Sequence, residues 1–348
     1  MNILITILTT FASGVIATAI GALGSVILTA LVSIVGVAAI MAGCEYNIIA
    51  NVCFGMFLGP QVAFGPALCA MNYAWKKGYV KDSKDIAFPL GSVQKTDILV
   101  VGGLFAVVGW YLNQTISMVL PGYFDTVAAT IVILNMISKI MFGNQGLIGH
   151  VPEDDQRFGL NSKNKWLTHM TYGHGWMFCM FGGSVGFISA WVLLELCSFS
   201  EKTGNPMIAG VAFVPIWAIA VVYLILMCCG LPCLVFHHVG LVGAYGAQMA
   251  YQAGCTNISV LLWGIAFGIM AHYAGDLLAD LFLVYGEGYV DPPSLSMWFC
   301  SFFAFIVCPK MGLVNPNTSI STITPIIIII LEFFIAGVFD HKRKSIMI

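Results

Sequence analysis

Charge is what this sequence lacks. From Met1 to Cys44 there is no Lys, Arg, Asp or Glu, and Glu45 is the first charged residue. Over the whole chain 9% of residues are charged and 59% are apolar, with a mean hydropathy of +0.92. A soluble domain carries about a quarter charged residues, so a water-soluble globule is excluded. The composition predicts an all-α polytopic membrane protein whose first partner is the lipid bilayer. No large basic surface or aromatic–basic face is present, which excludes nucleic acid as a partner. The start has no basic n-region and no cleavage site, so no removable signal peptide is expected. Walker, H-E-x-x-H and dinucleotide-binding signatures are also missing, which argues against ATP-driven transport within this chain and against zincin-type hydrolases. Cysteine is present, eleven times. The thiols are scattered, mostly through apolar segments, with no disulfide framework or metal knuckle, and read as packing residues.

What is present is a succession of long apolar runs. The uncharged start is roughly twice the ~20 residues that one spanning helix needs. It is read as two helices meeting near Gly21–Gly24. Hydrophobic segments follow at 3–22, 24–43, 47–75, 97–120, 124–142, 172–197, 207–229, 231–253, 257–286, 295–309 and 320–339. About eleven transmembrane helices (ten or eleven) are therefore predicted. The expected organisation is an N-terminal membrane repeat at 1–142 and a cytoplasmic linker at 143–171. A connecting helix and outer loop follow at 172–206, then a C-terminal membrane repeat at 207–339 and a basic tail at 340–348. On this scheme Lys76, Lys77, Lys81, Lys84, Lys95, Arg157, Lys163, Lys165, Lys342, Arg343 and Lys344 lie on one side, with Lys139 at its edge. Only Lys202 and Lys310 lie on the other. That asymmetry places the basic side, and the C-terminus, in the cytoplasm of an inner-membrane protein.

The chain also repeats itself weakly. "AGCEYNI" at 42–48 has a counterpart in "AGCTNI" at 253–258, and "KKGYVKD" at 76–82 in "GEGYVDP" at 286–292. Between these markers lie Gly55-Met-Phe-Leu-Gly59 and Gly264-Ile-Ala-Phe-Gly268, spacings that allow close helix approach. Pairing the markers equates the third segment with the ninth. Six crossings separate those two, which makes the duplication parallel; an odd number would make it inverted. The third segment carries Gly59-Pro60 and Gly65-Pro66 on either side of Gln61. Proline removes a backbone donor and clashes with the preceding turn, so a discontinuous helix is predicted. Freed backbone groups cannot face lipid and must line protein or a wet cavity, so Gly59, Pro60, Gln61, Gly65 and Pro66 are candidates for a substrate path. A kinked packing helix is the plainer alternative.

"FLGPQVAFGPALCAMNYAWKKGYV", followed by "DILVVGGLFAVVGWYLN", resembles an uncharacterised family of prokaryotic multi-helix membrane proteins. Its mark is an FGPxxAF-type glycine–proline turn before a basic loop. The resemblance spans roughly residues 50–115. A histidine often follows the Gly-Pro in that pattern; here Gln61 stands there, which removes any metal role shared through that position. The resemblance implies a membrane protein and no particular activity.

Several polar residues fall inside the predicted spans. "AHYAGDLLAD" at 271–280 sets His272, Asp276 and Asp280 four apart, on one helical face. A charge at the bilayer centre costs about 2.5 kcal/mol or more, so these three, with Glu332 in the last helix, are candidate ion- or proton-binding residues. Asp280 also lies close enough to the inner boundary to reach water. His237 and His238 open the neighbouring segment, and with His272 and Asp276 form a candidate metal set. Each histidine could equally be satisfied by packing. His150, His169, His174 and His341 look like linker and tail. Glu195 and Lys139 lie near helix ends and are expected to snorkel to water.

Three functions compete. The first is a transporter or channel for a small solute or ion, with a proton or cation site on the ninth helix. Buried carboxylates favour the neutral form until a cation replaces the proton, which is a coupling device. The second is a structural or assembly subunit of a membrane complex. The third is an intramembrane metalloenzyme, although no enzymatic activity is the primary expectation. No cofactor is required beyond a bound Na⁺ or divalent metal ion. The small-residue faces of the first two helices suit close packing within the chain or in a homo-oligomer.

Overall fold

The computed structural model describes residues 2–158 and 174–346, with side chains described as far as Lys342. Among these residues every regular element is helical. In order they are α1 (Ile3–Ile20), α2 (Ala22–Met41), α3 (Phe64–Lys76), α4 (Thr96–Val119) and α5 (Thr126–Phe142). Then come α6 (Gly175–Thr203), α7 (Pro206–Gly210), α8 (Val214–Tyr223), α9 (Ile225–Cys228) and α10 (His237–Gln252). The chain ends with α11 (Asn257–Phe282), α12 (Pro292–Phe302), α13 (Cys308–Lys310) and α14 (Ile320–Ile346). Seven of the described helical stretches are long and apolar enough to cross a membrane, and Thr126–Phe142 and Val214–Cys228 are shorter apolar helices. The linker predicted at 143–171 lies partly outside the described residues, with Lys163, Lys165 and His169. Residues 340–346, expected as a tail, continue α14.

Local chemistry sets many of the boundaries. Asn2, Asp125 and Thr256 accept from Leu4, Ala128 and Ser259 at the starts of α1, α5 and α11, side chains suited to cover the first free amides. Gly78 and Gly254 close α3 and α10 in left-handed geometry (φ 72° and 77°). In both, the following amide returns to the carbonyl five residues back, Tyr79 to Ala74 and Cys255 to Ala250. These are matching glycine caps, on "AWKKG" and "AYQAG". The segment expected at 231–253 becomes helical only from His237, because Pro232 cannot continue a helix from α9.

The chain divides into two compact units, neither continuous in sequence. The first comprises Met1–His150, Ala218–Val235 and Tyr285–Ser294. The second comprises Val151–Trp217, Phe236–Val284 and Leu295–Ile348. Within the first, α1 runs against α4, and a Cβ on Gly14 would collide with the Gly102 carbonyl and, at 2.5 Å, with Ala106 Cβ. Within the second, α6 packs on α11 and α10. A Cβ on Gly186 would strike the Gly264 carbonyl, and one on Gly243 would come within 2.7 Å of Gly186 Cα. Each unit thus has at its centre a helix contact close enough that only glycine fits.

Candidate functional site

The second unit assembles the imidazole–carboxylate group. His272 and Asp276 are buried on α11, and His238 is buried at the start of α10. The His238 and His272 rings lie 5.9 Å apart, edge to face. His238 Nε2 stands 3.4 Å from where a Gly275 Cβ would be, so α10 lays this ring across α11 one residue from Asp276. Phe178 and Phe181 of α6 close over His272, with ring centroids 5.4 and 6.2 Å away. Gly182 makes room, since a Cβ there would lie 2.7 Å from His272 Cδ2. His272, just past the middle of the 26-residue apolar α11, and Asp276, one turn nearer its C-terminal end, are therefore buried together with His238 from the start of α10.

The other candidates of this unit separate from that group. The His237 ring meets that of His238 edge to face at 5.7 Å, but the structure does not gather it with the rest as a metal site. Among the described residues no three His, Cys, Asp or Glu side chains are placed to hold a metal ion. The candidate metal set His237, His238, His272 and Asp276 is thus not assembled. Asp280, one turn beyond Asp276, is half-buried, and Arg157 donates to its backbone carbonyl at 3.1 Å and to that of Leu281 at 3.3 Å. Glu332 is buried on α14, beside Tyr273, whose hydroxyl donates to the Glu332 carbonyl at 2.6 Å. Its Oε2 has no hydrogen-bond partner among the described residues.

The first unit contains the broken helix. A π-helical turn at Ile49–Cys53 is followed by irregular turns to Ala63, and α3 begins at Phe64. Pro60 sits in the break, and Pro66 falls in the first turn of α3, where no intrahelical amide is needed. The freed carbonyls are covered by side chains from three directions. Gln61 Nε2 donates to Phe54 O at 2.9 Å, Thr29 Oγ1 to Leu58 O at 2.7 Å, and Ser13 Oγ to Phe57 O. On the other side, Asn135 Nδ2 of α5 donates to Gly65 O at 3.2 Å. The predicted path residues Gly59, Pro60, Gln61, Gly65 and Pro66 are all buried, as is everything from Leu58 to Met71.

A third polar group, also in the first unit, escaped the sequence reading. Lys139 does not snorkel. It is fully buried, its stem packs where a Gly288 Cβ would be (2.9 Å from Cγ), and Nζ donates to Tyr285 O at 3.3 Å. The segment 285–291 lies against it. Asn72 clamps this segment, accepting from Tyr289 N at 2.6 Å and donating to Tyr289 O at 3.2 Å and to Ser138 Oγ at 2.8 Å. Ser83 donates to Glu287 Oε2 at 2.7 Å and accepts from Gly288 N at 2.9 Å. Buried Asp291 accepts from the amide and hydroxyl of Ser294 at 2.9 and 2.6 Å and from the Tyr289 hydroxyl at 3.3 Å. The signal available in sequence was the cluster "YGEGYVDPPS" itself, polar and proline-bearing between two apolar runs.

Burial pushes the Asp291 carboxyl up to about 6, although its three hydrogen bonds pull the other way. The folded chain therefore keeps this proton to a higher pH than the unfolded chain, which releases it near 4. The resulting stabilisation is complete below about pH 4 and is lost as pH rises through about 6. The thermal midpoint of the purified protein should fall over that window, by the equivalent of up to about 3 kcal/mol. Asp291→Asn, which keeps the cap, should flatten this slope. An unchanged slope in the variant would assign the titration elsewhere.

Two successive stretches of the chain, residues 1–162 and 163–323, each match the family of unknown function DUF7973. They begin 162 positions apart, whereas Asn47 and Asn257 of the paired sequence markers are 210 apart. No curated protein and no solved structure matches the chain. With both halves matched, the chain belongs to the family of unknown function DUF7973.

Proposed function

We propose that this protein is an integral membrane transporter or channel for a small solute or ion, in which His238, His272 and Asp276 handle a proton or a small cation. The observation that carries this reading is the burial of His272 and Asp276, in the C-terminal half of an apolar helix long enough to span the bilayer, together with His238 from the start of α10. Ionisable groups at that depth are expensive and are kept for ion or proton paths. A carboxylate there holds a proton until a cation takes its place, so binding of one is exchanged for release of the other.

The membrane setting is supported by the outer faces. On α14, Ile326, Ile327, Ile330, Leu331 and Phe334 are exposed, an apolar surface suited to lipid. The seven long spans and two shorter apolar helices support this reading, and with the broken segment ending in α3 and α10 also taken as crossings the proposed count is eleven. Five of them fall in each matched stretch, and α14 comes last. Five is odd, so the two stretches thread the bilayer in opposite senses, the inverted form of duplication common among transporters. The basic residues then put the C-terminus on the cytoplasmic side of an inner membrane.

A ligand that binds only the folded state raises its stability by RT ln(1 + [L]/Kd). The proposal expects a cation-specific rise in thermal midpoint that is larger at higher pH, where cation and proton compete less. Asp276→Asn should abolish its pH dependence. A midpoint indifferent to every cation and to this substitution would favour a structural subunit instead.

A further inference from the structure

We infer that the basic loop between α3 and α4 is a docking surface for the phosphate headgroups of anionic lipids, contacted by Lys76, Lys77, Lys81 and Lys95. The inference goes beyond the transport function and uses no residue of the α11 group. It rests only on the membrane setting.

The argument begins with charge that the fold leaves uncompensated. Residues 76–97 hold five lysines against three aspartates. Lys76, Lys77, Lys81 and Lys95 are exposed, and none of the four forms an ion pair among the described residues. Two of the aspartates are turned to other donors. Asp97 Oδ2 accepts from the hydroxyls of Tyr73 and Tyr79 at 2.9 and 3.2 Å, and Asp82 Oδ1 from the amide of Lys84 at 2.7 Å. Two lysines rest on those same tyrosines. Lys77 Nζ lies 5.6 Å from the Tyr73 ring centre and Lys95 Nζ 5.5 Å from that of Tyr79. An aromatic face holds an ammonium in place without cancelling its charge.

The loop that carries these lysines is fastened down. Tyr79, Val80 and Phe88 pack on a buried apolar cluster that Leu90 shares with the ends of α3 and α4. Leu23 N, at the start of α2, donates to Ile86 O at 3.0 Å. Gly91 admits the end of α1, since a Cβ there would lie 2.9 Å from Ala19 O. The charges are thus displayed from a fixed backbone, and little ordering is left for binding to impose.

Placement selects the partner. The loop runs from the last residue of α3 to the first of α4, the ends of two crossings in the proposed topology, and so lies level with the headgroups. Half-buried Trp75 joins Tyr73 and Tyr79 at that level, and such amphipathic rings collect at the membrane interface. A lipid surface presents many phosphates, so the lysines need not converge on one point. Each lysine near an anionic surface strengthens binding about fivefold, and salt screens the attraction.

The test is the thermal midpoint of the full-length protein in uncharged detergent, titrated with phosphatidylglycerol, phosphatidylcholine or inorganic phosphate. It uses the wild type, a glutamine variant (Lys77→Gln, Lys81→Gln and Lys95→Gln together) and the matching arginine variant. Lys202→Gln with Lys310→Gln is the charge control outside the loop. Phosphatidylglycerol should raise the wild-type midpoint more than phosphatidylcholine does, and roughly 0.5 M salt should remove the difference. The glutamine variant should need at least about tenfold more phosphatidylglycerol for the same rise, while the arginine variant and the control pair match the wild type. Should the glutamine variant fold poorly, the wild-type preference and its salt dependence still decide. Equal responses to the two lipids, or equal losses in the glutamine and arginine variants, would overturn the proposal. So would a glutamine variant that responds like the wild type. The same rise with inorganic phosphate would make the loop a free-anion site and overturn the lipid as its occupant.

Discussion

Replacing Gly186 by alanine is expected to destabilise the second unit by about 3 kcal/mol, although only one methyl is added. The new Cβ would run into the backbone carbonyl of Gly264 and lie 2.9 Å from its carbonyl carbon. Backbone atoms cannot turn aside as a flexible side chain can, so the helix pair must separate. Separation loosens α10 as well, because Gly243 packs into the same contact, where a Cβ on it would lie 2.7 Å from Gly186 Cα and 3.2 Å from the Gly264 carbonyl. Between membrane helices, close packing is itself the main attraction, and dispersion falls off within an ångström of added distance. His272 depends on this contact too, since Gly182, one turn earlier, leaves the space its ring occupies. Gly210→Ala is the control: a Cβ there meets nothing within 4 Å, and the midpoint should stay within about a degree or rise slightly. Thermal unfolding followed by fluorescence of the purified proteins reads both. Equal midpoints for Gly186→Ala and wild type would show that α6 and α11 are not in contact as described.

Asn72→Leu should cost roughly 4 kcal/mol, with its largest consequence at a segment distant in sequence. Leucine matches asparagine in reach but offers no polar atom, so the amide and the carbonyl of Tyr289 would both remain buried and unbonded. Each such group costs about 1–3 kcal/mol, and Ser138 would lose its donor as well. The segment at Tyr285–Ser294 should then open more readily, exposing Lys139 and Asp291. Limited proteolysis or hydrogen exchange across 283–294 gives the readout: faster cleavage or exchange there is expected in Asn72→Leu, with other segments unchanged. Exchange no faster than wild type would show that Asn72 does not hold this segment.

The parts of this molecule visible in its sequence are those set by short-range rules. The spacing of His272, Asp276 and Asp280 follows from helix periodicity, and the break around Gln61 follows from two prolines six apart. Which of those residues meet is a tertiary matter. Asp280 faces Arg157 because of where the loop before residue 158 passes, which no local pattern encodes. Lys139 looked like a helix-end lysine able to reach water. It is buried because a segment nearly 150 residues later packs onto it. Asn72 and Asn135 were passed over for a related reason, since an uncharged amide in a span draws no attention until its partners are known. Gly-rich apolar helices resemble one another at many offsets, so the paired markers do not by themselves fix a repeat, whereas two successive stretches match one family.

The central claim is that this chain moves a proton or small cation through the group on α11. The most direct measurement is of luminal pH in proteoliposomes carrying a trapped pH-sensitive dye, after an imposed gradient of Na⁺ or K⁺. The account predicts a pH change that depends on the cation gradient in wild type and is absent in Asp276→Asn at equal incorporation. A signal that is the same in both, or no signal in wild type with any cation on the panel, would contradict it.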